Sequence, residues 1–178
     1  AVCKNESPIM LYGSPLSPYV RKVMSVLEHK KIDYRLDPTL PASLLLALGK
    51  QVPVELEQAS PLGKIPAIKV EEGTLADSTS IVAYLEKKWP EKTIYSPSAY
   101  LAAKAIWFEQ YAGTEMSDVF HKIFVEAVVK PNVLNAVKDE GLIDQLLIKI
   151  PAILQYLEKS LSETKTLYLT SNALTIGD

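Results

Sequence analysis

The spacing of apolar residues changes character about halfway along this chain. Ile9–Tyr12 is a short apolar run, and Val20, Val23, Met24 and Leu27 then recur at helical spacing. Ile32–Leu36 alternates apolar and polar residues, which predicts a second strand. Strand, helix of about a dozen residues and strand form a βαβ unit, so the two strands are expected to be parallel. Pro38, Pro41, Pro53 and Pro61 interrupt the next stretch. It reads as loops with a short helix over 43–49, ended by Gly49, and another turn over 55–58. Ala67–Val70 and Thr74–Ala76 read as a hairpin across Glu72-Gly73, with Pro66 at the strand start. Asp77 or Ser78 caps a helix carrying Ile81, Val82, Tyr84 and Leu85, and Trp89-Pro90 stops it.

Beyond residue 90 the period is helical only. PEKTIYSPS, over 90–98, has no strong period and reads as a linker, so the expected domains are 1–90 and 91–178. Leu101, Ala105, Phe108 and Tyr111 form one stripe, which Gly113 weakens. The pattern resumes with Met116, Val119, Phe120, Ile123 and Phe124 and stops at Pro131. Leu142, Leu146, Ile150, Ile153, Leu154, Leu157 and Leu161 form another stripe, with Pro151 inside it to kink or break the helix. Thr175 to Asp178 fits the S/T-x-x-D form of a capping box, a helix start.

Composition narrows the picture in a few respects. The 178 residues can bury a sizeable core, and 48% apolar with 22% charged residues is ordinary for a globular protein. A net charge of −2 gives no electrostatic case for nucleic acid or an anionic membrane surface. No apolar run approaches the roughly 18–20 residues that span a bilayer. AVCKNESP, at the start, lacks the apolar segment of a signal peptide. Cys3 stands alone, which excludes an internal disulfide or a multi-cysteine metal site and is compatible with a reducing compartment. His29 and His121 have no partners at metal-binding spacing, so no metal is expected.

The stretch LYGSPLSPYVRK, Leu11–Lys22, carries the first candidate chemistry. Gly13, Ser14 and Pro15 are turn residues, and Ser17-Pro18 opens a helix. The Ser17 hydroxyl is thus expected at a helix N-terminus, beside unpaired N–H groups and the positive end of the dipole. That environment lowers the pKa of a thiol held there. The same residue reads as an ordinary cap, and this segment alone favours capping over catalysis.

Three further pieces bear on the choice. SPLGKIPAI (60–68), LADSTSIVAYLE (75–86) and LTIGD (174–178) follow in that order, with Pro66 and Asp77 eleven positions apart. Together with LYGSPLSPYVRKV the set resembles the glutathione transferases, in the serine-type form of plant tau-like and bacterial members. The resemblance implies an α/β thioredoxin-like first domain, βαβ–ββα, followed by an all-α domain. In that family the last motif opens a central helix and several more follow, so the helical domain is expected to be truncated at Asp178.

The resemblance also implies roles. Ser17 would donate its O–H to the glutathione sulfur and favour the thiolate, making it the catalytic residue. Asp77 would accept from the γ-glutamyl ammonium, and Ser78 with its helix N-terminus would hold the carboxylate. The Ile65 backbone, before a cis Pro66, would pair with the cysteinyl unit as an added strand does. Lys64, with Lys50 or Gln51, would meet the glycine carboxylate. A second substrate is expected between the domains, against Leu16, Tyr19, Tyr111, Glu115, Met116 and Phe120, although such an aromatic and Met stripe also suits a core. Glutathione is then a co-substrate with no further cofactor, and the partners are a small electrophile and a second copy in a homodimer. The helix over Asp77–Lys88 would face the 100–130 helices of that second copy. Nucleic acid and membrane partners are not expected, and the location is cytoplasmic. The other readings are a non-catalytic binding or assembly protein on the same fold and a thiol-disulfide reductase. The reductase reading is disfavoured because position 17 is Ser and Cys3 precedes the first strand.

Overall fold

In a computed structural model of the chain, which describes residues 9–178, two compact units are present. The first runs to Thr93 and the second spans Ile94–Asp178. Cys3 lies outside the described residues.

In the first unit β1 (Ile9–Tyr12) leads through Ser17-Pro18 into α1 (Pro18–Lys30), and β2 is Tyr34–Asp37. The second strand therefore begins two residues later than the alternation suggested. The cause is the end of α1. Lys31 takes the left-handed conformation at φ 59°, and Ile32 N–H donates back to Leu27 O at 2.9 Å. That closure holds Ile32 out of a ladder. Two short helices, α2 (Ala42–Ala47) and α3 (Val54–Ala59), follow, then β3 (Ala67–Val70), β4 (Gly73–Ala76) and α4 (Ser78–Lys88).

The strand order is β2-β1-β3-β4, with β1 parallel to β2 and antiparallel to β3. Alternation divides the sheet's two faces. Tyr12 and Ala67 pack with Leu56 and Ala59 of α3. Leu11 and Ile68, paired in register, point the other way and are wholly buried. So are Val20, Val23 and Leu27 of α1 and Ile81, Val82 and Leu85 of α4, and α1 packs on α4. Lys30, at the end of α1, has a fully buried side chain. Its Nζ sits 2.8 Å from Glu86 Oε2 and donates to the carbonyls of Trp89 (2.7 Å) and Glu91 (3.2 Å). A single buried cation thus gathers the last carbonyls after α4.

The second unit is helical. The backbone stays right-handed from α5 (Ala99–Tyr111) through α6 (Ser117–Phe124) to α7 (Lys130–Asn132), interrupted by π-helical turns at Ala112–Met116 and Val125–Val129. Gly113 falls in the first of these turns. In the second, buried Glu126 accepts from Asp139 N–H (2.9 Å) and pairs with Lys130 (2.7 Å). The predicted break at Pro151 separates α8 (Glu140–Leu147) from α9 (Ile150–Thr164), where the proline occupies the first turn and needs no N–H. Val119, Leu146 and Ile153 form the buried cluster. In the 175–178 motif Asp178 Oδ2 accepts from both Thr175 N–H and Oγ1 at 2.8 Å, the acidic half of a capping box.

Candidate functional site

Strand register builds the site. Tyr12 pairs with Asp37 on one side and with Ala67 on the other, and Ala67 pairs with Ala76. The last residues of β1, β2 and β4 and the first of β3 therefore form one row across the sheet. Every loop that leaves this row emerges at the same end: Gly13–Ser17, the segment after Asp37, the segment ending in Ile65-Pro66, and Asp77-Ser78.

The first loop is drawn tight by its own backbone. Gly13 N–H donates to Asp37 O (2.8 Å), Ser17 N–H to Ser14 O (3.0 Å), and Leu16 N–H to the buried Ser14 hydroxyl (3.3 Å). Gly13 sits at φ 147°, and a Cβ there would lie 2.5 Å from Val20 Cγ2 and 3.2 Å from Ile65 Cβ. Glycine is required because the turn, the start of α1 and the Ile65 loop meet at this point. Ser17 is the N-cap of α1. Its Oγ accepts from Val20 N–H at 3.4 Å, a long bond that uses one lone pair and leaves the O–H available as a donor.

The Ile65–Pro66 peptide is cis, as expected. Ala42 N–H donates to Gly63 O (2.8 Å), which lays the start of α2 on this loop. Pro66 is buried, Ile65 is half-buried and packs on the Tyr12 cluster, and Lys64 is exposed beside them.

The third loop is a single residue. Asp77 joins β4 to α4 at φ 74° and ψ 127°, a conformation rare for a residue with a Cβ. Its Oδ1 caps α4 by accepting from Thr79 N–H (2.9 Å) and Ser80 N–H (3.1 Å), while the carboxylate stays exposed. Ser78 is the first helical residue and is buried. A constrained backbone of this kind accompanies functional sites.

The structure also bears on Tyr12, the hydroxyl nearest the row. Tyr12 belongs to the cluster on the α3 face, and burial, then Glu55 and Asp37, push its phenol above the ordinary value. It remains a neutral phenol at neutral pH. The groups gathered at the row are thus a hydroxyl donor at one helix N-terminus, a carboxylate at another, and a loop bearing a lysine. That set can hold a small ligand that carries both an ammonium and a carboxylate.

Comparison with known proteins agrees. The family model "Glutathione S-transferase, N-terminal domain" matches residues 11–93. Glutathione S-transferase 3 of Zea mays is 28% identical over 174 residues, covering 97% of this chain and 74% of that protein. Glutathione S-transferase F13 of Arabidopsis thaliana is 28% identical over 175 residues, 94% of this chain and 74% of its own length. The crystal structure of glutathione transferase F7 from Populus trichocarpa superposes with a TM-score of 0.78 at 25% identity, covering 95% of this chain and 77% of that one.

Residues 11–93 form a glutathione S-transferase N-terminal domain.

As in the glutathione S-transferase structures it resembles, the thioredoxin-like unit comes first and the helical unit second. Six of the sequence-named residues lie at or beside the row: Ser17, Lys64, Ile65, Pro66, Asp77 and Ser78. Lys50 is exposed just past α2, and its N–H closes that helix on Leu45 O at 2.9 Å. Among the described residues nothing ties its side chain to the row. Of the residues named for a second substrate, Leu16 is exposed and Tyr19 half-buried in the first unit. In the second unit Tyr111, Met116 and Phe120 pack against the Val119 cluster, and Glu115 is exposed in the first π-helical turn. Ser14 was not singled out as a site residue. Its hydroxyl and carbonyl shape the turn that presents Ser17, and a Ser two places before Leu16 is the only sequence signal for this.

Proposed function

We propose that this chain activates the thiol of glutathione and transfers it to a small electrophile. The observation that carries the reading is the row Asp37–Tyr12–Ala67–Ala76. It brings the Ser17 turn, the Ile65-Pro66 loop and the Asp77-Ser78 corner to one end of the sheet. In this reading Asp77 takes the γ-glutamyl ammonium, and Ser78 with the N-terminus of α4 takes the neighbouring carboxylate. The Ile65 backbone pairs with the cysteinyl unit, and Lys64 meets the glycine carboxylate. Ser17 donates to the sulfur, where the N-terminus of α1 also favours negative charge. The thiolate attacks the electrophile, a carbon–sulfur bond forms, and the leaving group or the added electron pair is expelled or protonated.

The chemistry requires no group beyond glutathione as co-substrate. A cytoplasmic location and a homodimer complete the proposal, with α4 of one copy facing the α5–α7 stretch of the other. Among the described residues no helix is long and apolar enough to cross a membrane. Retention on immobilised glutathione followed by an aryl-halide conjugation assay tests the reading. Retention with turnover is expected. Retention without turnover would mark a binding protein, and loss of both would remove the site assignment.

A further inference from the structure

Asp77 is the only residue between β4 and α4, so the direction in which the Asp77-Ser78 corner points is set by the angle between those two elements. α4 runs back along β4 and returns to the hairpin turn from which β4 started. There Glu72 reaches across. Its Oε2 accepts from Tyr84 O–H at 3.0 Å and its Oε1 pairs with Lys88 Nζ. Tyr84 and Lys88 are one helical turn apart, so one carboxylate bridges both positions of α4. Lys88 Nζ also lies 5.5 Å from the Tyr84 ring centre and 5.4 Å from that of Trp89, and the two rings meet edge to face at 6.1 Å.

The result is a closed triangle. Its sides are β4 and α4, its apex is Asp77, and the Glu72–Tyr84–Lys88 contact is its base. β4 is the edge strand, paired on one side with β3 and tied to α3 where Thr74 Oγ1 donates to Gln58 O (3.4 Å), and this base joins it to the far end of α4. We propose that Glu72, Tyr84 and Lys88 form a latch that positions the Asp77-Ser78 corner for the γ-glutamyl end of glutathione. None of the three touches the ligand, and they act through the angle at Asp77. The backbone supports this. Asp77 sits at φ 74°, and a strained joint relaxes unless its surroundings fix both arms. Lys88 holds the Glu72 carboxyl below its ordinary value, so the latch is charged at neutral pH.

The inference rests on the proposed glutathione site, and its test separates the two. Glutathione Kd, KM and kcat are measured by calorimetry and aryl-halide conjugation for Asp77→Ala, Glu72→Ala, Glu72→Asp and the exchange pair Glu72→Lys with Lys88→Glu. Thermal unfolding is followed in parallel. The latch predicts that Glu72→Ala raises KM and Kd for glutathione about fivefold while kcat holds, on the scale of one exposed ion pair with its hydrogen bond. The exchange pair should recover most of this loss, and Glu72→Asp should fall between. If Asp77→Ala weakens glutathione binding and Glu72→Ala does not, the latch is refuted and the site stands. If Asp77→Ala leaves binding unchanged, the site assignment itself fails. A drop in melting temperature for Glu72→Ala with unchanged KM would reduce the contact to a structural tie and overturn the proposal.

Discussion

Removing the Ser17 hydroxyl sets the cap that the structure shows against the donor role proposed above. As a cap, Ser17 accepts from Val20 N–H at 3.4 Å, near the limit for such a bond. Its loss should therefore cost about 0.5 kcal/mol, the low end for an N-cap. For a domain of this size that corresponds to a fall of about 2–4 °C in melting temperature. The backbone bonds of the turn, Ser17 N–H to Ser14 O and Arg21 N–H to Ser17 O, survive the substitution. In the proposed role as a donor to sulfur, the hydroxyl would stabilise the thiolate over the thiol. A donor to a developing oxyanion is worth about 10²–10³ in rate, and sulfur is a softer acceptor, so about 10–10² is expected. Ser17→Ala should therefore lose conjugation at pH 7 by that factor while retaining glutathione affinity, because Asp77, Ser78, Lys64 and the Ile65 backbone are untouched. The sign with pH follows. Losing the donor raises the bound thiol's pKa, so the deficit is largest below the wild-type value and narrows above the shifted one. Ser17→Thr, which keeps both hydroxyl and cap, should retain most of the rate. The assays are kcat/KM for an aryl halide over pH 6–8, thiolate absorbance of the glutathione complex, and a thermal melt. A folded Ser17→Ala variant with wild-type rate and pH profile would show that Ser17 only caps α1.

Three further substitutions probe the frame around the site. Gly13→Ala places a Cβ 2.5 Å from Val20 Cγ2 at φ 147°, so it should destabilise the first unit by about 1–3 kcal/mol in urea unfolding and depress conjugation with it. Lys31→Gly relieves a left-handed residue that closes α1 and should stabilise by about 0.5–1 kcal/mol, read as a higher urea midpoint with unchanged slope and unchanged KM. Lys30→Met leaves the Glu86 carboxylate and the Trp89 carbonyl without their buried cation and should cost about 3–5 kcal/mol by the same measurement, while a neutral Glu86→Gln partner change added to it should return part of the loss.

Much of the fold was legible where boundaries are marked by residues with one strong preference. Ser17-Pro18 opens α1, the Glu72-Gly73 pair turns the hairpin, and Pro151 can enter α9 only in its first turn. The errors came where a residue acted against its usual preference. Lys31 does a glycine's work at the end of α1, and nothing in HKKIDY announces it, so the alternation starts β2 two residues early. The π-helical turns are similar. Gly113 signals a weakness, but a π-helical turn closes one residue further along the chain than an α-helical one and leaves no period of its own in so short a stretch. The Glu72–Tyr84–Lys88 contact was invisible for a third reason. It depends on α4 returning to the turn that began β4, a tertiary fact that no local period encodes.

The sequence offered capping and chemistry as alternatives at Ser17 and at Asp77, and the structure removes the opposition. A helix N-terminus brings together a side-chain oxygen, unpaired N–H groups and the positive end of a dipole. Ser17 accepts one bond from Val20, and a hydroxyl that accepts can still donate. Asp77 Oδ1 accepts two bonds, from Thr79 and Ser80 N–H, and the carboxylate stays exposed. Each cap fixes its side chain relative to its helix, and the row Asp37–Tyr12–Ala67–Ala76 fixes the two helices' starts at one end of the sheet. In the proposed site the capping bond orients the group that meets the ligand, so a substitution that preserves the cap but not the chemistry is the sharper probe. Asp77→Asn keeps an oxygen for Thr79 and Ser80 and loses the charge that an ammonium needs. It should leave the melting temperature near wild type and raise KM for glutathione about tenfold, on the scale of one charge-assisted hydrogen bond. Equal KM in Asp77→Asn and wild type would mean that the carboxylate serves α4 alone.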